Sequence, residues 1–237
     1  MYLCVSLTIF GFFAQGIKGE ISSENPSESA FLSYNGNTSR AVYEAWRISG
    51  ELSFLFKTNR PTAFLAYQDD GARNFLDLFL VKGKLRAWVR FNNCTPKSKE
   101  LTVNGNFSDS RWHRVRLTRG NEENVTLTVD GCKTEYISCK YTATESESWK
   151  ALYVGNIPAN ISFNDLANPR IVYESIGFEF QGCIGHMTQT TPEHSPKPLV
   201  LLHSEWTGAN CQSQCSSGRK CNPIDDVIRT ECECPGY

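Results

Sequence analysis

The chain has 237 residues, of which 40% are hydrophobic and 12% aromatic, and its formal net charge is −1. This composition is typical of a packed globular chain and excludes a disordered one. Because the net charge is close to zero, it gives no indication of nucleic-acid binding.

An apolar run (MYLCVSLTIFGFFAQG) begins the chain and is typical of a secretory signal peptide. Ala14 and Gly16 place small residues where a signal peptidase reads, so cleavage is expected after Gly16 or Gly19. The run is shorter than the roughly 20 apolar residues that span a bilayer, and no later stretch is long enough. We predict a signal peptide over residues 1–19, a flexible lead-in over 20–29 and an exported chain, with any membrane anchor in a part beyond Tyr237.

Beyond residue 30, short segments alternate apolar and polar residues, and turn residues separate them. Strands are predicted over residues 51–57, 63–67, 75–81, 84–90, 100–103, 112–118, 125–129, 151–155, 178–187 and 199–202. Lys82-Gly83 suits a two-residue hairpin turn. Pairing outward from it predicts three apolar pairs on one face: Leu80 with Leu85, Leu78 with Ala87, and Leu76 with Val89. No segment sustains a 3.6-residue period, so the sequence predicts an all-β antiparallel sandwich.

Five N-x-Ser/Thr sequons accompany the signal peptide and predict a glycosylated extracellular chain. Four of them are predicted to carry glycans, at Asn37, Asn106, Asn124 and Asn160. The fifth, at Asn93, is expected to remain unmodified because its neighbour Cys94 is expected to form a disulfide.

Four motifs in the chain occur in the order and spacing of a known family. They are RWHRVRLTR at 111–119, LTVDG at 127–131, LYVG at 152–155 and FQGCIG at 180–185. Together they resemble the strand signatures of the laminin G domain, which implies a lectin-like jelly-roll β-sandwich over residues 30–205. Within that family, residues 52–96 are similar to the first laminin G domain of the long-form neurexins, and other laminin G proteins remain open.

Cysteine spacing after residue 205 predicts a disulfide-rich module in an exported chain. The ending CECPGY resembles the end of an EGF-like repeat, so residues 207–237 are assigned to an incomplete EGF-like module. The resemblance implies the pairs Cys211–Cys221 and Cys215–Cys232. It leaves Cys234 for a partner beyond Tyr237, which would make the chain a fragment.

Four cysteines then remain for two bridges inside the sandwich, and the sequence leaves their connectivity open. They are Cys94, Cys132, Cys139 and Cys183. The alternative scheme, which many laminin G domains follow, pairs Cys183 with Cys211 and leaves the EGF-like module one cysteine short.

The resemblance also implies a calcium site on a rim of the sandwich. Laminin G domains place an aspartate immediately before the F-L-x-L strand, and the matching residue here is Asn74. An amide oxygen can bind Ca²⁺ but brings no charge, which Asp69 and Asp70 could supply. The alternative role of the two aspartates is to cap a solvated turn. Ca²⁺ bound by these three residues is therefore a hypothesis.

A basic strand face is the second candidate site. Arg114 and Arg116 point to one side of a predicted strand, with Arg111 and Arg119 at its ends. The resemblance implies heparan sulfate as a ligand, whereas a solvated face offset by acidic residues is the favoured interpretation.

No enzyme is predicted, because none of the four histidines lies in a catalytic motif and no phosphate-binding loop is present. His113 is assigned a structural role.

These observations predict a neurexin-like module for extracellular adhesion or recognition. It would bind protein or glycan ligands through loops at the rim of the sandwich, in cell–cell and specifically synaptic contact. The alternative is a secreted or basement-membrane laminin G protein that binds heparan sulfate. A lectin-like binder would need paired carboxylates in a groove, and the sequence reveals no such pair.

Overall fold

A computed structural model describes most of the predicted sandwich. The described residues are 31–36, 38–47, 50–92, 94–119, 124–139, 149–157, 178–191, 194–208 and 211. The predicted signal peptide and lead-in lie outside these ranges, as do Asn37, Asn93, Asn160 and all of the EGF-like module except residues 207–208 and Cys211. Within the ranges the regular structure is β-strand, and they contain no helix with the length and hydropathy of a membrane span.

Fifteen strands occur in the described part of the chain. They are β1 Phe31–Asn35, β2 Arg40–Tyr43, β3 Gly50–Lys57, β4 Ala63–Asp69, β5 Phe75–Val81, β6 Lys84–Arg90, β7 Cys94–Thr95, β8 Ser98–Val103, β9 His113–Arg119, β10 Asn124–Val129, β11 Cys132–Cys139, β12 Leu152–Val154, β13 Gln181–Thr191, β14 His194–Pro198 and β15 Leu201–Glu205. The predicted strands are all present, and β1, β2, β7, β11 and β14 are additional.

The strands form two antiparallel sheets that pack face to face. The first sheet has the order β1-β13-β3-β9-β10-β11-β7, with β14 paired to β13. The second has the order β15-β2-β12-β4-β5-β6-β8. The main apolar core contains the inward side chains of both sheets, which is how a sandwich buries one face of every strand. The predicted all-β antiparallel sandwich is confirmed.

The hairpin of β5 and β6 has the predicted register. Lys82 and Gly83 have φ angles of 53° and 79°, so both turn residues take the left-handed conformation of a type I′ turn. The three predicted apolar pairs are present, namely Leu80 with Leu85, Leu78 with Ala87, and Leu76 with Val89. All six side chains are completely buried, because a matching register places both strands' apolar positions on the core face.

The end of the described chain is fastened to the first sheet by a disulfide. Cys183 of β13 is bonded to Cys211, with a Cα–Cα distance of 5.8 Å. Strand β1 brings the two cysteines close together, because its residue Ser33 pairs with Cys183 on one side and with Gly208 on the other. The chain is therefore already beside β13 when it reaches Cys211.

This bond corrects the expected cysteine pairing. The pair Cys211–Cys221 that the EGF resemblance implied is wrong, and the alternative Cys183–Cys211 is the one observed. Cys215, Cys221, Cys232 and Cys234 lie outside the described residues. Cys94 is also disulfide-bonded and pairs through its backbone with Cys139, whereas the side chains of Cys132 and Cys139 lie outside the described part.

A small second core surrounds the disulfide on the outer face of the first sheet. It contains Phe31, Leu55, Trp112 and the two bonded cysteines. The rings of Phe31 and Trp112 meet edge to face with centroids 5.1 Å apart, a favourable aromatic geometry. The disulfide therefore holds the end of the chain over apolar side chains that would otherwise face water.

Removing the disulfide should destabilise the domain. The double variant Cys183→Ala/Cys211→Ala opens a link across 28 residues of sequence without leaving an unpaired thiol in the pair. We expect the free energy of unfolding to fall by about 3 kcal/mol, because the unfolded chain gains conformational entropy. Chemical denaturation measures the difference. Peptide mapping of the non-reduced chain should recover the Cys183–Cys211 pair, and a peptide joining Cys211 to Cys221 would contradict it.

Candidate functional site

The three residues of the calcium hypothesis meet at the turn between β4 and β5. Asp70 caps this turn, because its Oδ1 accepts the N–H groups of Ala72, Arg73 and Asn74 at 2.8, 2.8 and 3.0 Å. Its other oxygen, Oδ2, accepts a hydrogen bond from the Asn74 side-chain amide at 2.7 Å. Asp70 thus has the turn-capping role that was the alternative to metal binding.

Asn74 is buried and uses both ends of its amide within the protein. Its Nδ2 donates to Asp70, and its Oδ1 accepts the backbone N–H of Asn92 at 2.8 Å. The oxygen that would bind a metal is therefore directed to the loop after β6. Asn74 joins two loops of the rim instead of contributing an open ligand atom.

Asp69 is completely buried, and polar groups surround its carboxylate. Its Oδ2 accepts the Tyr67 hydroxyl at 2.7 Å, and its Oδ1 accepts the Gly71 N–H at 2.9 Å. The ammonium of Lys150 lies 3.6 Å from Oδ1. A positive charge from the chain itself therefore stands beside this carboxylate.

This donor set does not fit a calcium ion. Ca²⁺ takes about six to eight oxygen ligands at 2.3–2.6 Å, whereas the oxygens of Asp69, Asp70 and Asn74 already accept O–H and N–H groups. In the described ranges, no group of three or more His, Cys, Asp or Glu side chains is arranged to hold a metal.

His113 bridges two turns near the start of β9. Its Nδ1 lies 2.7 Å from Asp130 Oδ2 and its Nε2 lies 3.0 Å from Asp109 Oδ1. Burial lowers the pKa of His113, but hydrogen bonds and charges from Asp130 and Asp109 outweigh burial and raise the pKa above its ordinary value. Because both ring nitrogens are engaged, the geometry agrees with the structural role predicted for His113.

Arg114 and Arg116 share the outer face of the first sheet, alternating with the buried Val115 and Leu117. Arg119 lies at the end of the strand, as expected, but its side chain does not belong to this basic face. It occupies an inward position of β9, is 7% exposed, and its guanidinium lies 5.1 Å from the centroid of the Phe91 ring. The reason is the two-residue period, which assigns Arg119 to the same face as Val115 and Leu117.

The charge of the basic face is partly offset. The Nε of Arg116 lies 3.8 Å from a carboxylate oxygen of Glu51, and the Nε of Arg111 lies 3.9 Å from a carboxylate oxygen of Asp109. Burial and the nearby charge of Arg114 lower the pKa of His186, so this histidine adds no charge at neutral pH. This face is the partly compensated surface favoured from the sequence.

Two of the predicted glycosylation sites are described. Asn106 is exposed, and its Oδ1 accepts the Ser108 hydroxyl of the same sequon at 2.9 Å. Asn124 is half-buried at the first position of β10. Both remain predictions, as do Asn37 and Asn160 outside the described ranges.

The outer face of the second sheet carries a groove of about 530 Å³ that sequence reasoning missed. Its aromatic lining consists of Phe64, Phe79, Trp88 and Phe178, and its charged lining includes Asp77, Lys82, Arg86 and Glu100. The available signal was the second face of the hairpin. Its outward positions include Phe and Trp, which a strand facing only water would not favour.

The walls of the groove are held by specific contacts. The Phe64 N–H donates to the Phe178 carbonyl at 2.6 Å, and the side chain of Phe178 is 44% exposed. The Trp88 indole N–H donates to the Ser98 hydroxyl at 2.8 Å. An ion pair of 2.7 Å joins Arg86 to Glu100. The groove thus combines fixed aromatic surface with charges of both signs.

Comparison with known proteins supports the resemblance seen in the sequence. A family model described as the laminin G domain matches residues 56–188. Human neurexin-2 is 32% identical over 184 residues, which are 76% of this chain and 10% of that protein. Neurexin 1 of Drosophila melanogaster is 31% identical over 145 residues, 59% of this chain and 8% of that protein. The chain thus spans about a tenth of the length of these relatives.

Solved structures support the fold. Domains LG4-5 of the mouse laminin alpha1 chain superpose with a TM-score of 0.54 at 16% identity, covering 88% of this chain and 50% of that one. The LG1-3 region of the laminin alpha2 chain gives a TM-score of 0.53 at 13% identity, covering 78% and 35%. At these identities the likeness establishes the sandwich fold alone.

The bridge at His113 predicts a pH-dependent stability. A raised pKa in the folded state means that the stabilisation is complete below the unfolded pKa of about 6.5 and is lost as pH rises through the folded pKa. His113→Asn removes charge-assisted hydrogen bonds and should cost about 1.5–3 kcal/mol at pH 6. Urea unfolding measured from pH 5.5, about one unit below the unfolded pKa, up to pH 9 tests this expectation.

The exposed His194 provides the control for this series. His194→Asn should preserve the fall in stability with rising pH, whereas His113→Asn should flatten it. Parallel pH profiles of the natural chain and His113→Asn would contradict the assigned role.

Proposed function

The chain belongs to the laminin G domain family, and on that basis we propose that it is a neurexin-like extracellular recognition module that docks a protein ligand without covalent chemistry. Laminin G domains are adhesion and recognition modules rather than enzymes. The similarity to neurexins over 76% of the chain supports a role in cell–cell contact at synapses. The observation that carries the proposal is the aromatic groove on the second sheet.

The groove has the chemistry of a protein-docking surface. Large apolar side chains are the usual anchors of protein interfaces, and a cleft of about 530 Å³ is large enough to receive one or two of them. Phe178 and the outward Phe79 supply the apolar contact, and the Arg86–Glu100 pair orients polar groups of the ligand. An exposed aromatic surface rimmed by charges is typical of an interaction site.

This proposal moves the binding surface away from the rim where the sequence suggested it. The rim carboxylates of Asp69 and Asp70 are engaged with their own turn, so they offer little to a ligand. On the sheet face, strand pairing fixes the positions of Phe79 and Trp88, and Phe178 is held beside them by the hydrogen bond from the Phe64 N–H. Rigid aromatic anchors lose less entropy on binding than mobile loops do.

A charge placed in the groove should weaken ligand binding. We expect Phe178→Asp to weaken binding of the full chain to neuronal cell surfaces at least about tenfold, because it replaces an aromatic anchor by a solvated carboxylate. Flow cytometry with fluorescently labelled protein measures the titration. The same type of change at Leu202, which is 59% exposed outside the groove, is the matched control. If Leu202→Asp weakens binding and Phe178→Asp leaves it unchanged, the groove is not the ligand-binding surface.

Heparan sulfate is the second candidate ligand, as for a basement-membrane laminin G protein. It is supported by the shared outward face of Arg114 and Arg116 and opposed by the nearby carboxylate of Glu51. Because Arg119 is buried and Arg111 lies 3.9 Å from Asp109, we propose this function for a surface centred on Arg114 and Arg116.

Heparin chromatography distinguishes the two candidates. With two arginines and a partly compensating Glu51, the chain should elute from heparin at or below about 0.15 M salt, where exposed charges are largely screened. Retention well above that salt concentration, lost in Arg114→Ser/Arg116→Ser, would instead favour heparan sulfate. Arg60→Ser, which changes an arginine outside this face, is the control.

A further inference from the structure

Lys150 lies across the turn between β4 and β5. Its backbone N–H donates to the carbonyl of Asp69 at 2.8 Å, which fixes where its side chain starts. The side chain then passes over Gly71, where an added Cβ would come within 2.6 Å of Lys150 Cε. A glycine at this position, with φ of +72°, therefore leaves the path open for the ammonium.

The ammonium ends beside a buried negative charge. Asp69 is completely buried, and burying a carboxylate is costly unless a positive charge and hydrogen bonds compensate it. The Tyr67 hydroxyl and the Gly71 N–H provide hydrogen bonds, and the Lys150 Nζ at 3.6 Å provides the charge. The side chain of Lys150 is 38% exposed, so the ammonium retains contact with water.

Asn74 contributes to the same balance of charge, because it places a neutral amide where an aspartate would add a negative charge. Its Nδ2 donates to Asp70 Oδ2 at 2.7 Å, a contact that an ionised aspartate at this position cannot make. An aspartate at this position would instead set two carboxylates against each other and would need a cation between them. An aspartate and a Ca²⁺ ion together carry one net positive charge, and Asn74 and Lys150 together carry the same.

We propose that Lys150 is a built-in counter-ion that replaces a divalent cation at this rim, so that the turn between β4 and β5 is stabilised without calcium. Asn74 removes the carboxylate that a metal would need, and Lys150 supplies the charge that a metal would bring. Gly71 permits the arrangement. The three residues act together, although they lie on different segments of the chain.

Thermal unfolding of the full chain in EDTA and in millimolar CaCl₂ tests the proposal. The natural chain should show the same Tm in both, and calorimetric titration with CaCl₂ should give no binding heat. Lys150→Met should lower the Tm more than Lys84→Met, because Lys84 is exposed and only bonds Asn104. A calcium-dependent rise in the natural chain, or equal effects of the two lysine variants, overturns the proposal.

A gain-of-function variant provides the sharper test. Asn74→Asp/Lys150→Met restores the carboxylate and removes the ammonium, so it should acquire a Tm rise of about 5 °C with CaCl₂. MgCl₂ at the same concentration should give a smaller rise, because Mg²⁺ demands a tighter octahedral site. If the double variant folds and its Tm does not change with CaCl₂, the proposal that Lys150 and Asn74 replace a calcium ion and an aspartate is wrong. If the double variant does not fold, the natural chain and Lys150→Met still decide.

Discussion

Burial of one face of every core strand between two sheets is the constraint on which the rest of this structure depends. It fixes the register of β5 and β6, because a slip of one residue would turn their apolar positions to the outside. The same alternation buries Arg119 on Phe91 and reduces the basic face to two arginines on that strand. Even the groove follows from it, since the outward residues of the hairpin line its floor.

What could be predicted from the sequence was local. The alternating leucines and the Lys82-Gly83 turn determine the hairpin within 16 residues of sequence, and the structure agrees in every predicted pair. Strands without alternation were missed, such as β14, which is exposed at all five positions and contains two prolines. Arg119 was placed at the end of the basic strand without a face, although the two-residue period from Val115 already indicated an inward position.

What could not be predicted depends on segments far apart in sequence. The resemblance to an EGF-like repeat implied a pair between Cys211 and Cys221, but a spacing pattern carries no information about distant strands. The observed pair requires that β1 bring Gly208 next to β13. Likewise, the sequence placed Asp69 near Asn74, while its contact with Lys150 arises only when the segment before β12 packs against β4.

The charge compensation at the rim bears on why we place the binding surface at the groove. A metal ion on a rim has open coordination positions and can accept an oxygen atom of a ligand, which makes the rim itself a binding site. The Lys150 ammonium is shared with a buried carboxylate and offers no such positions. Charge compensation within the rim contributes to stability, and in our proposal recognition uses a different surface. The aromatic groove of the second sheet offers apolar contact for that role.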